Sequence, residues 1–190
     1  LTDVTGVQTC ALPISGPASV PGLIGEFAAR GTRAAIVVTS EFAGDGALRQ
    51  RMLDAAEPAL LRILGPKSRG IVRPSIGLDA SLAPRKALEG DLAFVSQSGA
   101  MLATALEWAT ERGIGFSHLV SLGEMADIDF GDMIDYLAAD TSAQAILLYV
   151  EAITDARKFM SAARAAARVK PVVVDRKSTR LTSSHVSQSR

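Results

Sequence analysis

Apolar positions along this chain follow two alternating rhythms, short β-branched runs and longer stretches at helical spacing. Residues 20–30 carry Leu23, Ile24 and Phe27 three and four apart and stop at Gly31, which predicts a helix with a glycine cap. Residues 34–39 form a short run rich in Ala, Ile and Val that suits a strand covered on both faces. A helix is predicted over 47–56, with Leu48, Met52 and Ala55 on one side and Pro58 ending it, followed by a brief strand over 61–64. From Gly65 to Gly90 the sequence turns rich in Gly, Pro, Ser and charge, the composition of a connector between domains.

The second half is more regular. Strands are predicted over 92–95, 116–122, 145–150 and 171–174, separated by helices over 98–112, 132–138 and 155–169. The first of these helices offers Leu102, Ala105, Leu106 and Ala109 to a core, and the last offers Ala156, Phe159, Met160 and Ala163. Strands alternating with helices of this length imply parallel pairing through right-handed crossovers, hence an α/β fold with a doubly wound sheet.

Composition narrows the class. The chain has 190 residues, 48% of them hydrophobic and 21% charged, with a formal net charge of zero, enough for one domain or two incomplete ones. Without a basic surplus there is nothing to displace counterions from a nucleic acid, and no apolar run reaches bilayer length, so neither nucleic acid nor membrane is expected as a partner. A single cysteine, Cys10, leaves no disulfide framework and no cysteine metal site, and a cytoplasmic location is the default expectation.

Candidate chemistry concentrates in residues 91–100, DLAFVSQSGA, which read as a strand, a tight polar turn and a helix start. A helix start presents N–H groups without intrahelical acceptors at the positive end of the macrodipole. Ser96, Ser98 and the side-chain-free Gly99 would let a phosphate or carboxylate approach them. The same letters also suit a serine N-cap that binds nothing. Ligands of doubly wound sheets collect beyond the carboxyl ends of the strands, and Ser96 and Ser98, Gly123 and Glu124, and Glu151 each follow a predicted strand.

Several separated motifs resemble the ADP-forming acyl-CoA synthetases, relatives of the succinyl-CoA synthetase alpha subunit. They are Ser96-Gln97-Ser98-Gly99-Ala100, Gly113-Ile114-Gly115-Phe116-Ser117, Val120-Ser121-Leu122-Gly123, Leu148-Tyr149-Val150-Glu151 and Lys170-Pro171-Val172-Val173-Val174. Upstream, Leu64-Gly65-Pro66 and Gly77-Leu78-Asp79-Ala80-Ser81 resemble the end of that family's CoA-binding domain and the connector after it. The resemblance implies residues 16–84 as the C-terminal part of a Rossmann-like CoA-binding domain with its connector. It implies 85–174 as a truncated flavodoxin-like domain of the succinyl-CoA synthetase type.

The family converts an acid, CoA and ATP to acyl-CoA, ADP and phosphate through a phosphohistidine. The resemblance makes Ser96, Ser98 and Gly99 phosphate-binding and assigns Glu151 the role of orienting the histidine, a task for a carboxylate that fixes one ring tautomer. That histidine would lie downstream of 170–174, and His118, inside a predicted strand, reads instead as a packed, hydrogen-bonded residue. Gly65, Pro66 and Lys67 are candidates for CoA contact, although the family has Asn where this chain has Lys67, and a lysine offers no acceptor. Expected cofactors are CoA or acyl-CoA, with ATP/ADP and Mg in the full-length parent, alongside small-molecule substrates and an ATP-grasp domain or subunit. A fragment of this extent is expected to be inactive alone.

Residues 1–15 and 175–190 resemble translated sequencing-library adapter, so Cys10 and His185 are kept out of any site. Two other readings stand. Glu107-Trp108-Ala109, Asp127-Ile128-Asp129 and Asp155-Ala156-Arg157-Lys158-Phe159 equally resemble bacterial fusions with a protein lysine acetyltransferase, where the same domains sense acyl-CoA. The plainer alternative is a structural α/β domain with no ligand.

Overall fold

The computed structural model describes residues 16–39, 42 and 45–177, so the N-terminal tail and most of the C-terminal one lie outside the described residues. Eight strands and five α-helices follow in order. They are α1 (Val20–Ala29), β1 (Ala34–Ile36), α2 (Gly46–Ala56), β2 (Arg62–Leu64), β3 (Gly70–Arg73), β4 (Leu78–Ser81), β5 (Glu89–Ser96), α3 (Gly99–Glu111), β6 (Phe116–Ser121), α4 (Phe130–Ala139), β7 (Ala145–Val150), α5 (Ala156–Ala166) and β8 (Val172–Arg176).

β1 and β2 form a small parallel sheet. The other six strands form one sheet in the order β4-β3-β6-β5-β7-β8, parallel from β6 to β8. The doubly wound parallel sheet expected from the alternation of strands and helices is therefore present. Stepping from β5 outward to β6 and then back across to β7 reverses direction, which sends α3 to one face and α4 and α5 to the other.

One expectation fails at the edge. The Gly- and Pro-rich stretch 65–90, read as connector, contains β3 and β4, which pair antiparallel with each other, while β3 also pairs antiparallel with β6. Four residues per strand are too few to display a period, and Gly70 breaks the β-branched signature. Gly70 is nevertheless required: its φ is +97°, and a Cβ there would run into the Ala80 carbonyl oxygen and lie 2.6 Å from Ser81 Cα.

The core fills both sheet faces. Leu102, Leu106 and Ala109 of α3 pack with Phe94, Phe116 and Leu119 on one face. Ile134 and Leu137 of α4 and Phe159, Ala162 and Ala166 of α5 pack with Ile146, Leu148 and Val150 on the other. α5 sits rotated from its expected face, since Met160 is 45% exposed and Ala156 lies at the surface. Alanines occupy several sides of this helix, so its orientation is set by Phe159, which meets Phe130 edge to face at 6.2 Å.

The small sheet is stitched to the large one by residues 124–128. Glu124, Ala126 and Ile128 donate backbone hydrogen bonds to the carbonyls of Pro66, Gly65 and Ile63, at 2.8, 2.9 and 3.2 Å. Asp127 accepts from the Ile63 N–H at 2.7 Å and pairs with Arg62 at 2.9 Å. Ile36 and Leu64 join the same core as Val120 and Leu122. These contacts hold the 65–69 loop against the carboxyl ends of β5 and β6.

Candidate functional site

Beyond those strand ends lies a cleft of about 630 Å³, lined among others by Lys67, Arg69, Ser98, Gly99, Glu124 and Glu151. Several separate segments thus converge on one place, among them the 65–69 loop, the start of α3, the turn after β6 at Glu124, and the end of β7. Ser98, Gly99, Lys67 and Glu151, all singled out in the sequence, line it together.

Ser98 is the N-cap of α3, its hydroxyl accepting from the Met101 N–H at a long 3.4 Å. Ser98, Gly99 and Ala100 all line the cleft, so the start of α3, where first-turn N–H groups lack intrahelical acceptors, borders it. Ser96 takes a different position. It is fully buried and its hydroxyl donates to the Ser98 carbonyl at 2.7 Å, so it shapes the turn and does not line the cleft. Serine at a strand end reads the same in either role, and only burial separates them.

Gly99 lines the cleft and also makes room for a neighbour. A Cβ at this position would lie 2.6 Å from Cγ and 2.7 Å from Cδ of Arg69, so the missing side chain makes room for that arginine's aliphatic stem. Arg69 went unnoticed in the sequence because nothing in the local pattern ties residue 69 to residue 99. Gly65 and Pro66 lie behind the cleft wall and are not lining residues; their carbonyls accept from Ala126 and Glu124. Of the three candidate CoA contacts only Lys67 reaches the cleft, held at a φ of +60°.

Gln97 is a second residue the sequence reading passed over. Its side-chain oxygen accepts from the Glu151 N–H at 3.0 Å and the Ala152 N–H at 2.8 Å, tying the loop after β7 to the turn after β5. Glu151 stands at the rim with its side chain 35% exposed, 3.6 Å from the Lys177 ammonium. Lys177 falls in the segment expected to be tail, and β8 itself runs on through Asp175 and Arg176, which pair with Tyr149 and Val150.

A second polar cluster lies toward the amino ends of the parallel strands. His118, 1% exposed on β6, places Nε2 at 3.5 Å from the Tyr136 hydroxyl and 3.7 Å from Asp140, with its ring edge-on to Tyr136. Burial pushes its pKa below the ordinary imidazole value and the nearby Arg73 charge adds to that push. Asp140 accepts from the Ser142 hydroxyl and backbone and pairs with Arg73 at 2.9 Å, and the Ser142 bonds lead in holding it down to about 2. His118 is thus the packed histidine expected.

The stretches likened above to acetyltransferase fusions have structural partners within the chain. Arg112 lies 4.4 Å over the Trp108 ring, Asp127 holds Arg62, and Lys158 bridges Asp129 at 3.0 Å and Asp132 at 2.7 Å. No described helix is long and apolar enough to cross a membrane.

Known proteins resemble this chain in sequence and in fold. Over 159 residues the chain is 39% identical to acetate–CoA ligase [ADP-forming] I of Archaeoglobus fulgidus, covering 82% of this chain and 23% of that protein. It is 34% identical over 159 residues to the alpha subunit of acetate–CoA ligase [ADP-forming] I of Pyrococcus furiosus, covering 82% of this chain and 34% of the subunit. The chain therefore spans about a quarter to a third of the length of these two relatives.

Among solved structures, the dinucleotide-forming acetyl-coenzyme A synthetase 1 of Ca. Korarchaeum cryptofilum in its apo form superposes with a TM-score of 0.85 at 29% identity, covering 91% of this chain and 39% of that one. The same synthetase in complex with phosphate and ADP gives 0.84 at 30%, covering 88% and 37%. The family model of the succinyl-CoA ligase like flavodoxin domain matches residues 89–189, more than half the chain. With β5, the turn at Ser98 and the helix α3 all inside that match, the chain belongs to the family of succinyl-CoA ligase like flavodoxin domains.

Proposed function

We propose that this chain is part of an ADP-forming acyl-CoA synthetase and that its cleft receives the phosphoryl group in the conversion of acid, CoA and ATP to acyl-CoA, ADP and phosphate. One observation carries this reading: Lys67, the α3 start at Ser98 and Gly99, and Glu151 come from distant segments and line a single cleft at the carboxyl edge of the sheet. The donor set suits a phosphoryl group. Backbone N–H groups and the helix dipole favour an anion, and an ammonium adds charge without demanding one geometry.

Within that reading each residue has a distinct task. Ser98 caps the helix and offers a hydroxyl beside the anion; Ser96 fixes the turn from beneath. Glu151 supplies the acceptor that would orient the phosphorylated histidine, and Gln97 sets the height of Glu151 by holding its backbone. In the longer protein, CoA, ATP/ADP with Mg and an ATP-grasp domain or subunit would supply the rest of the reaction, and the described residues alone do not complete it. We infer likewise that 16–84 derives from a CoA-binding domain and 85–174 from the flavodoxin-like one.

The test is a thermal and ³¹P NMR titration of the chain with inorganic phosphate at constant ionic strength. Phosphate should raise the unfolding midpoint progressively while chloride does not, and Ser98→Ala with Lys67→Ala should abolish the effect. Stabilisation by acetyl-CoA without any phosphate effect would favour the acyl-CoA-sensing reading. No response to either would leave a structural domain.

A further inference from the structure

We propose that Arg69 is a second phosphate-binding cation of this cleft, its stem laid across the start of α3 so that it grips the anion together with the helix N–H groups. The inference rests on the phosphoryl-cleft reading above and adds to it a residue that the sequence did not single out.

Its position is built, since both neighbours of Arg69 are anchored in the interior. Ser68 is 1% exposed, its hydroxyl donates to the Ser121 carbonyl at 2.6 Å, and it accepts from the Gly70 N–H at 2.8 Å. Gly70 is wedged against Ala80 and Ser81, and the Arg69 carbonyl accepts from the Leu82 N–H at 2.9 Å. An exposed side chain therefore leaves from a backbone that cannot shift. From there its stem crosses Gly99, where only glycine leaves space, bringing Nε to 3.0 Å from the point a Cβ would occupy.

The electrostatics of that placement are unfavourable by themselves. The guanidinium lies beside the positive end of α3, where a cation is disfavoured, and among the described residues no carboxylate forms an ion pair with it. Of the two glutamates that line the cleft, Glu151 faces Lys177. A dianion at the α3 start resolves the conflict, because it meets the helix N–H groups and the guanidinium fork together. Phosphate fits better than a monocarboxylate, since its additional oxygens can satisfy both sides at once.

The experiment is a phosphate titration of the 190-residue chain and its Arg69→Leu and Arg69→Lys variants, followed by unfolding midpoint and ³¹P line width, with acetate as a parallel ligand. Expected is about a tenfold loss of phosphate affinity in Arg69→Leu and partial recovery in Arg69→Lys. In chloride buffer the Arg69→Leu midpoint should stay level or rise, because a cation leaves the positive helix end; this also reports that the variant is folded. Equal or tighter phosphate binding by Arg69→Leu, with the parent binding normally, overturns the role of Arg69 and leaves the phosphoryl cleft standing. A parent chain that binds no phosphate overturns both.

Discussion

Two of the charged clusters on this sheet are built differently. At the amino-end cluster the groups answer one another: Asp140 takes Ser142 and Arg73, Tyr136 takes Arg73 and Asp140, and Lys170 donates to the Leu137 and Asp140 carbonyls that end α4. At the carboxyl-edge cleft the backbone is equally well fixed, but Lys67, Arg69 and the start of α3 line open space. Polar groups that satisfy each other hold a fold together. Polar groups held rigidly and left open to solvent are available to a ligand, and the cleft has that character; at the amino-end cluster Arg73 Nε and His118 Nδ1 also lack partners, but both are buried away from solvent.

The comparison breaks most forcefully at Gly123. Its φ is +62°, and a Cβ would collide with the Pro66 carbonyl oxygen and come within 2.7 Å of Lys67 C and Ser68 N. Gly123→Ala should cost about 3 to 5 kcal/mol in urea denaturation, combining left-handed strain with a clash against backbone that cannot yield. It should also abolish phosphate binding, because the same collision pushes the 65–69 loop out of the cleft. If the variant lost stability yet kept its affinity, loop and cleft would be independent, contrary to the hydrogen bonds that join them.

A smaller effect, with the opposite partition, is expected at the amino-end cluster. Asp140→Asn leaves Arg73 without its carboxylate in a site where Asp140 is only 10% exposed, and should cost about 2 kcal/mol while leaving phosphate affinity unchanged. Acid should weaken this cluster. The Asp140 carboxyl is held down to about 2, so its stabilisation is complete above the unfolded carboxylate value and is lost as pH falls toward 2. His118 adds to this in the same direction. With its folded pKa lowered, the unfolded chain takes up the proton first, so stability declines as pH drops below the free imidazole value of about 6.5. Midpoints measured from pH 8 to 2 should fall monotonically in the parent, with Asp140→Asn reducing the fall below the unfolded carboxylate value and His118→Gln flattening its upper part.

The sequence made the repeating elements legible because each carries a period long enough to recognise. Six of the eight strands and all five α-helices coincide with predicted segments to within a few residues at each boundary. β3 and β4 escaped because four-residue strands fixed by a glycine collision, not by alternation, leave no periodic trace. At the cleft, Ser98, Gly99 and Glu151 were readable as residues just beyond strand ends. Arg69 and Gln97 were not, since one works through space left by a glycine thirty positions away and the other through backbone N–H groups after β7.

The finest distinction between the clusters falls on Gln97. Its amide oxygen accepts from two consecutive N–H groups, at Glu151 and Ala152, so it acts on the backbone and not on the anion. Gln97→Ala returns those donors to water at an exposed site, and the loss of stability should be about 1 kcal/mol or less. Its effect on the cleft should be selective. The α3 start, Lys67 and Arg69 do not depend on Gln97, so phosphate affinity should fall by no more than about twofold, whereas the Glu151 carboxylate should lose its fixed place. Resonances of the Glu151 and Ala152 amides would report this directly, as faster hydrogen exchange in the variant while the amides of α3 keep theirs. If the α3 amides loosened as well, the turn after β5 and the loop after β7 would form one cooperative unit, and Gln97 would belong with the mutually satisfied groups that hold the fold.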